Sequence, residues 1–161
     1  DIFSLLTKKR FILTISERKD HLLNIIKALK DISGNTFDLF LFTGDAGKKK
    51  RKQILDAVQN CIIQDIPFCI FSTGSLIGEG FDLPALNTLI LAMPISFRGR
   101  IIQYAGRIHR EHEMKQDVLI YDYLDISTGL TISMFQKRVR TYKKMGYEID
   151  VGNNPSILKY I

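Results

Sequence analysis

Short apolar runs alternate with amphipathic stretches along most of the chain. The runs at residues 11–15, 37–42, 68–71, 88–91 and 118–121 contain almost no exposed-type polar positions, which is typical of strands covered on both faces of a sheet. Between them, apolar residues recur every three or four positions, as along one face of a helix. This alternation predicts an α/β fold, a three-layer sandwich in which right-handed crossovers build a mainly parallel sheet between helices.

Helical periodicity is clearest in three stretches. Ser16 has the side chain of a helix N-cap, and the apolar residues after it share one face until residues 33–35 break the pattern. A helix that is basic at its start follows the turn at residues 43–47. The last helix is predicted to run from Ile132 to about Met145 and to close the domain before Gly146.

Length and composition indicate one globular domain. The 161 residues are 45% apolar and 25% charged, ordinary values for a chain with one core. We expect a linker at residues 1–10, the domain at 11–146, and a tail or the start of a further segment at 147–161. No apolar run approaches the roughly 18 residues of a membrane span, so we expect a soluble, cytoplasmic protein with no membrane partner, nucleoid-associated if bacterial.

The cysteines and histidines do not predict a metal site. Cys61 and Cys69 stand in apolar contexts, where a buried thiol is expected. The three histidines lack the short spacings of zinc ligands.

Basic residues are unevenly distributed around a net charge of +6. Five consecutive basic residues occupy positions 48–52, and no acidic residue occurs between Asp125 and Glu148. That second interval holds Lys137, Arg138, Arg140, Lys143 and Lys144. Such patches favour a polyanionic partner, but a charge run is also typical of a solvated helix face, and both interpretations stay open.

The segment at residues 103–110 has a spacing suited to phosphate. Gln103, Gly106, Arg107 and Arg110 form the pattern Gln-x-x-Gly-Arg-x-x-Arg, which we expect at the start of a helix. Residues three apart on a helix share a face, so two guanidinium groups can grip the oxygens of one phosphoryl group. A glycine at this point lets a ligand approach the helix backbone closely.

A glycine-rich stretch follows the third predicted strand at residues 72–84. Its glycines allow backbone amides to face an anion, and Asp82 stands two residues before Pro84. The third glycine of a dinucleotide fingerprint is missing, and no P-loop lysine follows. On these residues alone, a turn in which Asp82 bonds to its own backbone explains the pattern equally well.

In order and spacing, these segments resemble signature motifs of superfamily 2 helicases and translocases. Residues 103–110 are similar to the last motif, and the stretch ending in Gly80-Phe-Asp82-Leu-Pro84 is similar to the fifth. The end of the first strand, at Ser16, resembles the fourth motif. The end of the second strand, at residues 42–45, resembles the family's conserved segment after the strand that follows the fourth motif. The resemblance implies a RecA-like second motor domain, closest to bacterial DNA repair and restriction-associated helicases of the DEAD/DEAH type.

The resemblance also implies roles for individual residues. Arg107 and Arg110 are expected to act as arginine fingers on the γ-phosphate of ATP, and Gln103 to orient water or bond to that phosphate. Three further residues are expected to face the nucleotide: Gly80, Asp82 and Gly106. Six are expected to hold one nucleic-acid strand by its backbone: Thr14, Ser16, Thr43, Gly44, Thr73 and Ser75.

A partner domain is implied as well. Residues 44–48 have the wrong glycine spacing for a Walker A loop, and Lys49 stands where Ser or Thr is required. ATP and Mg²⁺ would be held mainly by an N-terminal RecA-like domain of the same polypeptide, so we expect the fragment alone to be inactive. DNA is favoured over RNA, because the last motif begins with Gln103 rather than the histidine usual in DEAD-box RNA helicases. The alternative is a non-catalytic module of the same fold that docks nucleic acid or protein; the oligomeric state stays open.

Overall fold

The computed structural model describes residues 1–74, 82–94, 98–152 and 154–161, Arg98 by its backbone alone. Strands and helices alternate along these residues. The strands are β1 (Phe11–Ile15), β2 (Asp38–Phe42), β3 (Phe68–Ser72), β4 (Thr88–Leu91) and β5 (Leu119–Asp122). The α-helices are α1 (Ile2–Thr7), α2 (Lys19–Ser33), α3 (Lys48–Ile63), α4 (Arg98–Ile108) and α5 (Gly129–Lys144), and a 3₁₀ helix covers Pro155–Tyr160.

The five strands form one parallel sheet in the order β2-β3-β1-β4-β5. Every residue of β1, β3 and β4 is buried, whereas the edge strands β2 and β5 are partly exposed. This difference follows from position, because an edge strand has a neighbour on one side only. The predicted α/β fold with a mainly parallel sheet is confirmed.

Helices pack on both faces of the sheet. Leu13 of β1 belongs to one core cluster with Val58 of α3 and Tyr104 of α4. The next residue towards the amino end, Ile12, belongs to a second cluster with Leu22 of α2. Successive strand residues point to opposite faces, so the apolar run at residues 11–15 serves two cores at once, as the sequence predicted.

The amino-terminal residues differ from the expected linker. Residues 2–7 form α1, whose Leu5 and Leu6 are 3% and 1% exposed in the second core cluster. Arg10 then pairs with Asp117, with 2.9 Å between Nη2 and Oδ2. These residues are therefore part of the packed domain. After α5, Tyr147 and Ile149 pack against the first core cluster.

A buried ion pair fixes α5 to the end of β5. Arg138 donates from Nε and Nη2 to the two carboxylate oxygens of Asp122, at 2.6 and 2.8 Å, and Tyr142 donates its hydroxyl to the same carboxylate at 2.8 Å. The side chains of Arg138 and Asp122 are 2% and 8% exposed. Burial, and next the charge of Asp122, raise the pKa of Tyr142. Asp122 thus has a structural role in this domain.

Both cysteines are buried, as predicted. Burial raises the pKa of the Cys61 thiol to about 11 and that of Cys69 to about 12. In the described part of the chain, no helix combines the length and the apolar character that crossing a membrane requires.

Candidate functional site

The carboxyl ends of the five strands lie in one row. The paired residues across the sheet are, in strand order, Phe42, Ser72, Ile15, Leu91 and Asp122. The connections that follow these strands therefore start at the same level, at the edge of a parallel sheet where ligands bind. Ser16, Thr43 and Thr73, all predicted to contact a nucleic-acid strand, are each the first residue after a strand.

Ser16 is buried and already has polar partners at this edge. Its hydroxyl accepts a hydrogen bond from the Arg18 amide at 3.2 Å and lies 3.1 Å from Nδ1 of His21. The adjacent Glu17 amide donates to the sulfur of Met93 at 2.8 Å. Ser16 therefore fixes the path from β1 into α2, which begins three residues later.

Thr14 does not reach the edge. It is fully buried within β1, and its hydroxyl lies 3.3 Å from Sγ of Cys69 on the neighbouring strand. A nucleic-acid strand cannot reach this hydroxyl without opening the sheet. The predicted strand contact of Thr14 is corrected accordingly: its hydroxyl is satisfied inside the sheet.

The turn after β2 is fixed by hydrogen bonds and carries positive charge. Thr43 donates to Oδ1 of Asp45 at 2.5 Å, and Lys19 pairs with the other oxygen of that carboxylate. Arg51 of α3 donates to the Gly44 and Ala46 carbonyls, both at 2.7 Å. The hydrogen bonds from Lys19 and then Thr43 lower the pKa of Asp45 to about 2. Gly44 itself is exposed, with open space where a side chain would be.

The start of α4 docks onto the connections after β1 and β3. Arg100 Nη1 lies 2.6 Å from Oε1 of Glu17, and the ring of Tyr104 is buried beneath them. A Cβ atom at Gly74 would collide with the Tyr104 hydroxyl and lie 2.9 Å from the Glu17 carboxylate. Burial, and next the charge of Glu17, raise the pKa of Tyr104. Sequence reasoning missed this cluster, for which the one available signal was a glycine two residues after a strand.

The arginine motif occupies the end of α4, which corrects the expectation that it starts a helix. The helix begins at Arg98, five residues before Gln103, and ends at Ile108, so Arg110 lies beyond it. Gln103 and Gly106 are exposed and Arg107 is half-buried. Nothing lies within 4 Å of a Cβ atom built at Gly106, so this part of α4 is open to approach.

Arg110 pairs with Asp82, two residues that the motifs assign to one nucleotide. Their side chains are 44% and 51% exposed. An ion pair this exposed contributes at most about 1 kcal/mol, so a competing ligand can break it readily. Two other predicted site residues, Ser75 and Gly80, lie outside the described residues.

The described site residues fall into two groups joined by α4. The strand-edge group contains Ser16, Thr43, Gly44 and Thr73, and the second contains Gln103, Gly106, Arg107, Arg110 and Asp82. Tyr104 contacts the first group through Gly74, while Arg110 lies six residues further on in the second. The arrangement offers exposed guanidinium and amide groups in the second group and backbone turns in the first, with no nucleophile or acid–base pair identified among these residues.

Comparison with known proteins identifies the family. Residues 2–112 match the model of the helicase conserved C-terminal domain. The chain belongs to this family. The second domain of a superfamily 2 helicase, which the motifs led us to expect, is confirmed at this level.

Two viral relatives and one solved structure illustrate the match. The probable helicase D10 of Escherichia phage T5 is 25% identical over 137 residues, 85% of this chain and 29% of that protein. The transcript termination protein A18 of cowpox virus (strain Brighton Red) is 31% identical over 104 residues, 64% of this chain and 20% of that protein. The C-terminal domain of the DEAD-box protein Dbp5 superposes with a TM-score of 0.60 at 17% identity, covering 91% of this chain and 79% of that one.

These relatives set the limits of the assignment. The chain spans less than a third of either viral protein, and the likeness to Dbp5 concerns the fold alone. The predicted subclass, a bacterial DNA repair or restriction-associated helicase, stays a prediction, since these relatives belong to a phage and a poxvirus.

Proposed function

We propose that this domain is the second motor domain of an ATP-dependent nucleic-acid helicase or translocase. ATP and Mg²⁺ would bind mainly to a partner RecA-like domain, and this domain would supply Arg107 and Arg110 to the γ-phosphate and Gln103 to that phosphate or its attacking water. The observation that carries the proposal is the exposed end of α4, where Gln103 and Gly106 are open on a helix whose other end is docked at the strand edge. Family membership supports the same conclusion.

The Arg110–Asp82 pair fits a role in nucleotide exchange. The motifs assign Asp82 to the ribose and Arg110 to the γ-phosphate, opposite ends of one nucleotide, yet the two side chains meet here. Binding of ATP would separate the two side chains. Because the ion pair is exposed and weak, breaking it would cost little free energy.

Strand binding is proposed for the turns at the sheet edge. Gly44 and Thr73 are accessible there, and Lys19 and Arg51 bring positive charge to the turn after β2. Ser75 belongs to the same proposal on motif grounds alone, and Gly80 belongs on the same grounds to the nucleotide-facing residues. Contacts of this kind go to the phosphate backbone, so binding would be independent of sequence and sensitive to salt.

The decisive experiment measures ATP turnover by the protein that contains both motor domains, at saturating nucleic acid. Arginine fingers accelerate phosphoryl transfer by about 10³ to 10⁵, so Arg110→Ala is expected to lower kcat by at least a hundredfold. Lys30→Ala, which removes an exposed cation from α2, is the control and should leave kcat unchanged. A loss of less than tenfold in Arg110→Ala would contradict the finger assignment and favour a docking module.

We also propose DNA rather than RNA as the substrate, because Gln103 opens the last motif in place of histidine. The same protein should be stimulated more strongly by single-stranded DNA than by RNA of equal length. Equal or greater stimulation by RNA would reverse this choice and leave the motor assignment intact.

A further inference from the structure

The exposed side of α5 carries cations that the proposed motor site does not use. Lys137, Arg140 and Lys144, which we name the α5 stripe, follow one another at spacings of three and four residues and are all exposed. Residues at these spacings share a helix face. Lys143 is left out because it donates to the Ile161 carbonyl at 3.2 Å.

The α5 stripe has no acidic partner among the described residues, unlike five other cations of the domain. Elsewhere in the described residues, five exposed ion pairs join Lys9, Arg10, Lys19, Arg100 and Arg110 to carboxylates. Within those same residues, the α5 stripe forms none, and α5 contains no acidic residue. Like charges at these spacings destabilise a helix by themselves.

A general structural explanation covers only part of the α5 stripe. Cations in the last turn of a helix interact favourably with its dipole, which accounts for Lys144. Lys137 and Arg140 lie further from the end of the helix, where this effect has faded. For these two neighbouring cations, the described residues provide no acidic partner.

The α5 stripe lies on a helix that is fixed to the sheet, and its length matches that of a short nucleic-acid segment. Between Lys137 and Arg140, the buried Arg138 ties the helix to Asp122 at the end of β5. From Lys137 to Lys144, seven helical rises span about 10 Å, close to three steps of the axial rise of about 3.4 Å between successive phosphates of one strand in a DNA duplex. The aromatic residues of α5, Phe135 and Tyr142, are buried, so the stripe offers charge and no ring for base stacking.

We infer that the α5 stripe binds the phosphate backbone of nucleic acid as a second contact surface, separate from the turns at the sheet edge. The inference rests on the proposed nucleic-acid binding but not on ATP turnover. The stripe would add affinity without sequence preference, through release of counterions from the phosphates. It would be engaged whether or not ATP is present.

The test is a salt titration of oligonucleotide binding by this chain, with duplex and single-stranded probes, between about 50 and 200 mM salt. The variant Lys137→Gln with Arg140→Gln removes two contacts. The slope of log K against log salt should fall by about 1.8 on duplex or about 1.4 on a single strand, and a loss confined to one probe identifies the form bound. Exchanging the cations, Lys137→Arg with Arg140→Lys, should preserve the slope.

The matched control is Lys27→Gln with Lys30→Gln. These exposed lysines have the same spacing on α2, which packs with the second core cluster, whereas Tyr142 of α5 belongs to the first. The control variant should keep the wild-type slope.

The outcomes separate this inference from the proposed function. If wild-type protein binds but the α5 variant keeps its slope, the inference is wrong and the motor proposal is untouched. An equal loss in the α2 control would show that net charge alone is responsible and would also overturn it. Binding to polyglutamate that falls in the α5 variant while the nucleic-acid slope stays constant would assign the stripe to an acidic protein instead.

Discussion

Among single side chains, the contact between Gly74 and Tyr104 has the sharpest consequence. Gly74→Ala would drive a methyl group into the Tyr104 hydroxyl and against Glu17. Overpacking of this kind destabilises by about 1–3 kcal/mol. We expect a loss of that size in the free energy of unfolding, measured by urea denaturation of the chain.

Two variants test the cause of that loss. With Tyr104→Phe, the nearest ring atom lies 3.3 Å from the new methyl group, so Gly74→Ala should cost less in this background than in the wild type. Gly106→Ala, on the open side of α4, should instead stabilise by about 0.5–1 kcal/mol, because alanine replaces glycine within a helix. Equal effects at the two glycines would show that the Tyr104 contact is unimportant.

The predicted site residues show how well the positions of side chains can be predicted from the sequence. Strand ends are visible as the ends of apolar runs, which is why Ser16, Thr43 and Thr73 were placed correctly at one edge. Thr14 lies inside such a run, and a strand covered on both faces buries even its threonine. The partners of Tyr104 and Arg110 could not be predicted, because they depend on connections far apart in the sequence.

For whole helices and strands, the strongest prediction concerns the joint between α5 and β5. Arg138→Ala leaves the Asp122 carboxylate buried without its ion-pair partner, which costs about 3–5 kcal/mol. Urea denaturation should show this loss, whereas Arg140→Ala on the exposed face should change stability by less than about 0.5 kcal/mol.

Replacing the pair together separates pairing from packing. Arg138→Met with Asp122→Leu removes both charges, so it should destabilise less than Arg138→Ala alone. A double variant worse than the single one would mean that the ion pair itself, and not relief from an unpaired charge, holds α5 in place.

The positions of helices and strands could be predicted from the sequence where the apolar pattern was long. The pattern located all five strands to within a residue or two, as well as α2 and α3, because their buried faces repeat clearly. It missed α1, whose two buried leucines are too few to show a period, and the first turn of α4. Helix ends depend on local capping and neighbouring packing, so α4 extended further back than its motif suggested.

For the domain as a unit, the family assignment predicts dependence on a partner. The purified chain should show no measurable ATP turnover, because the sequence has no Walker A loop to bind the phosphates. A coupled phosphate-release assay, with and without oligonucleotide, provides the measurement. Turnover that disappears in Arg110→Ala would instead reveal a complete site within this chain.

The level row of strand ends determines the order in which a long ligand would meet the domain. Neighbouring strands are about 4.8 Å apart. The turns after β2, β3 and β1 therefore follow one another at nearly equal distances along the edge, although these turns are far apart in the sequence. A polymer lying across this edge would meet Gly44 first, then Thr73, then Glu17, or the reverse. The order of these contacts follows the order of strands in the sheet and not the order of residues in the chain.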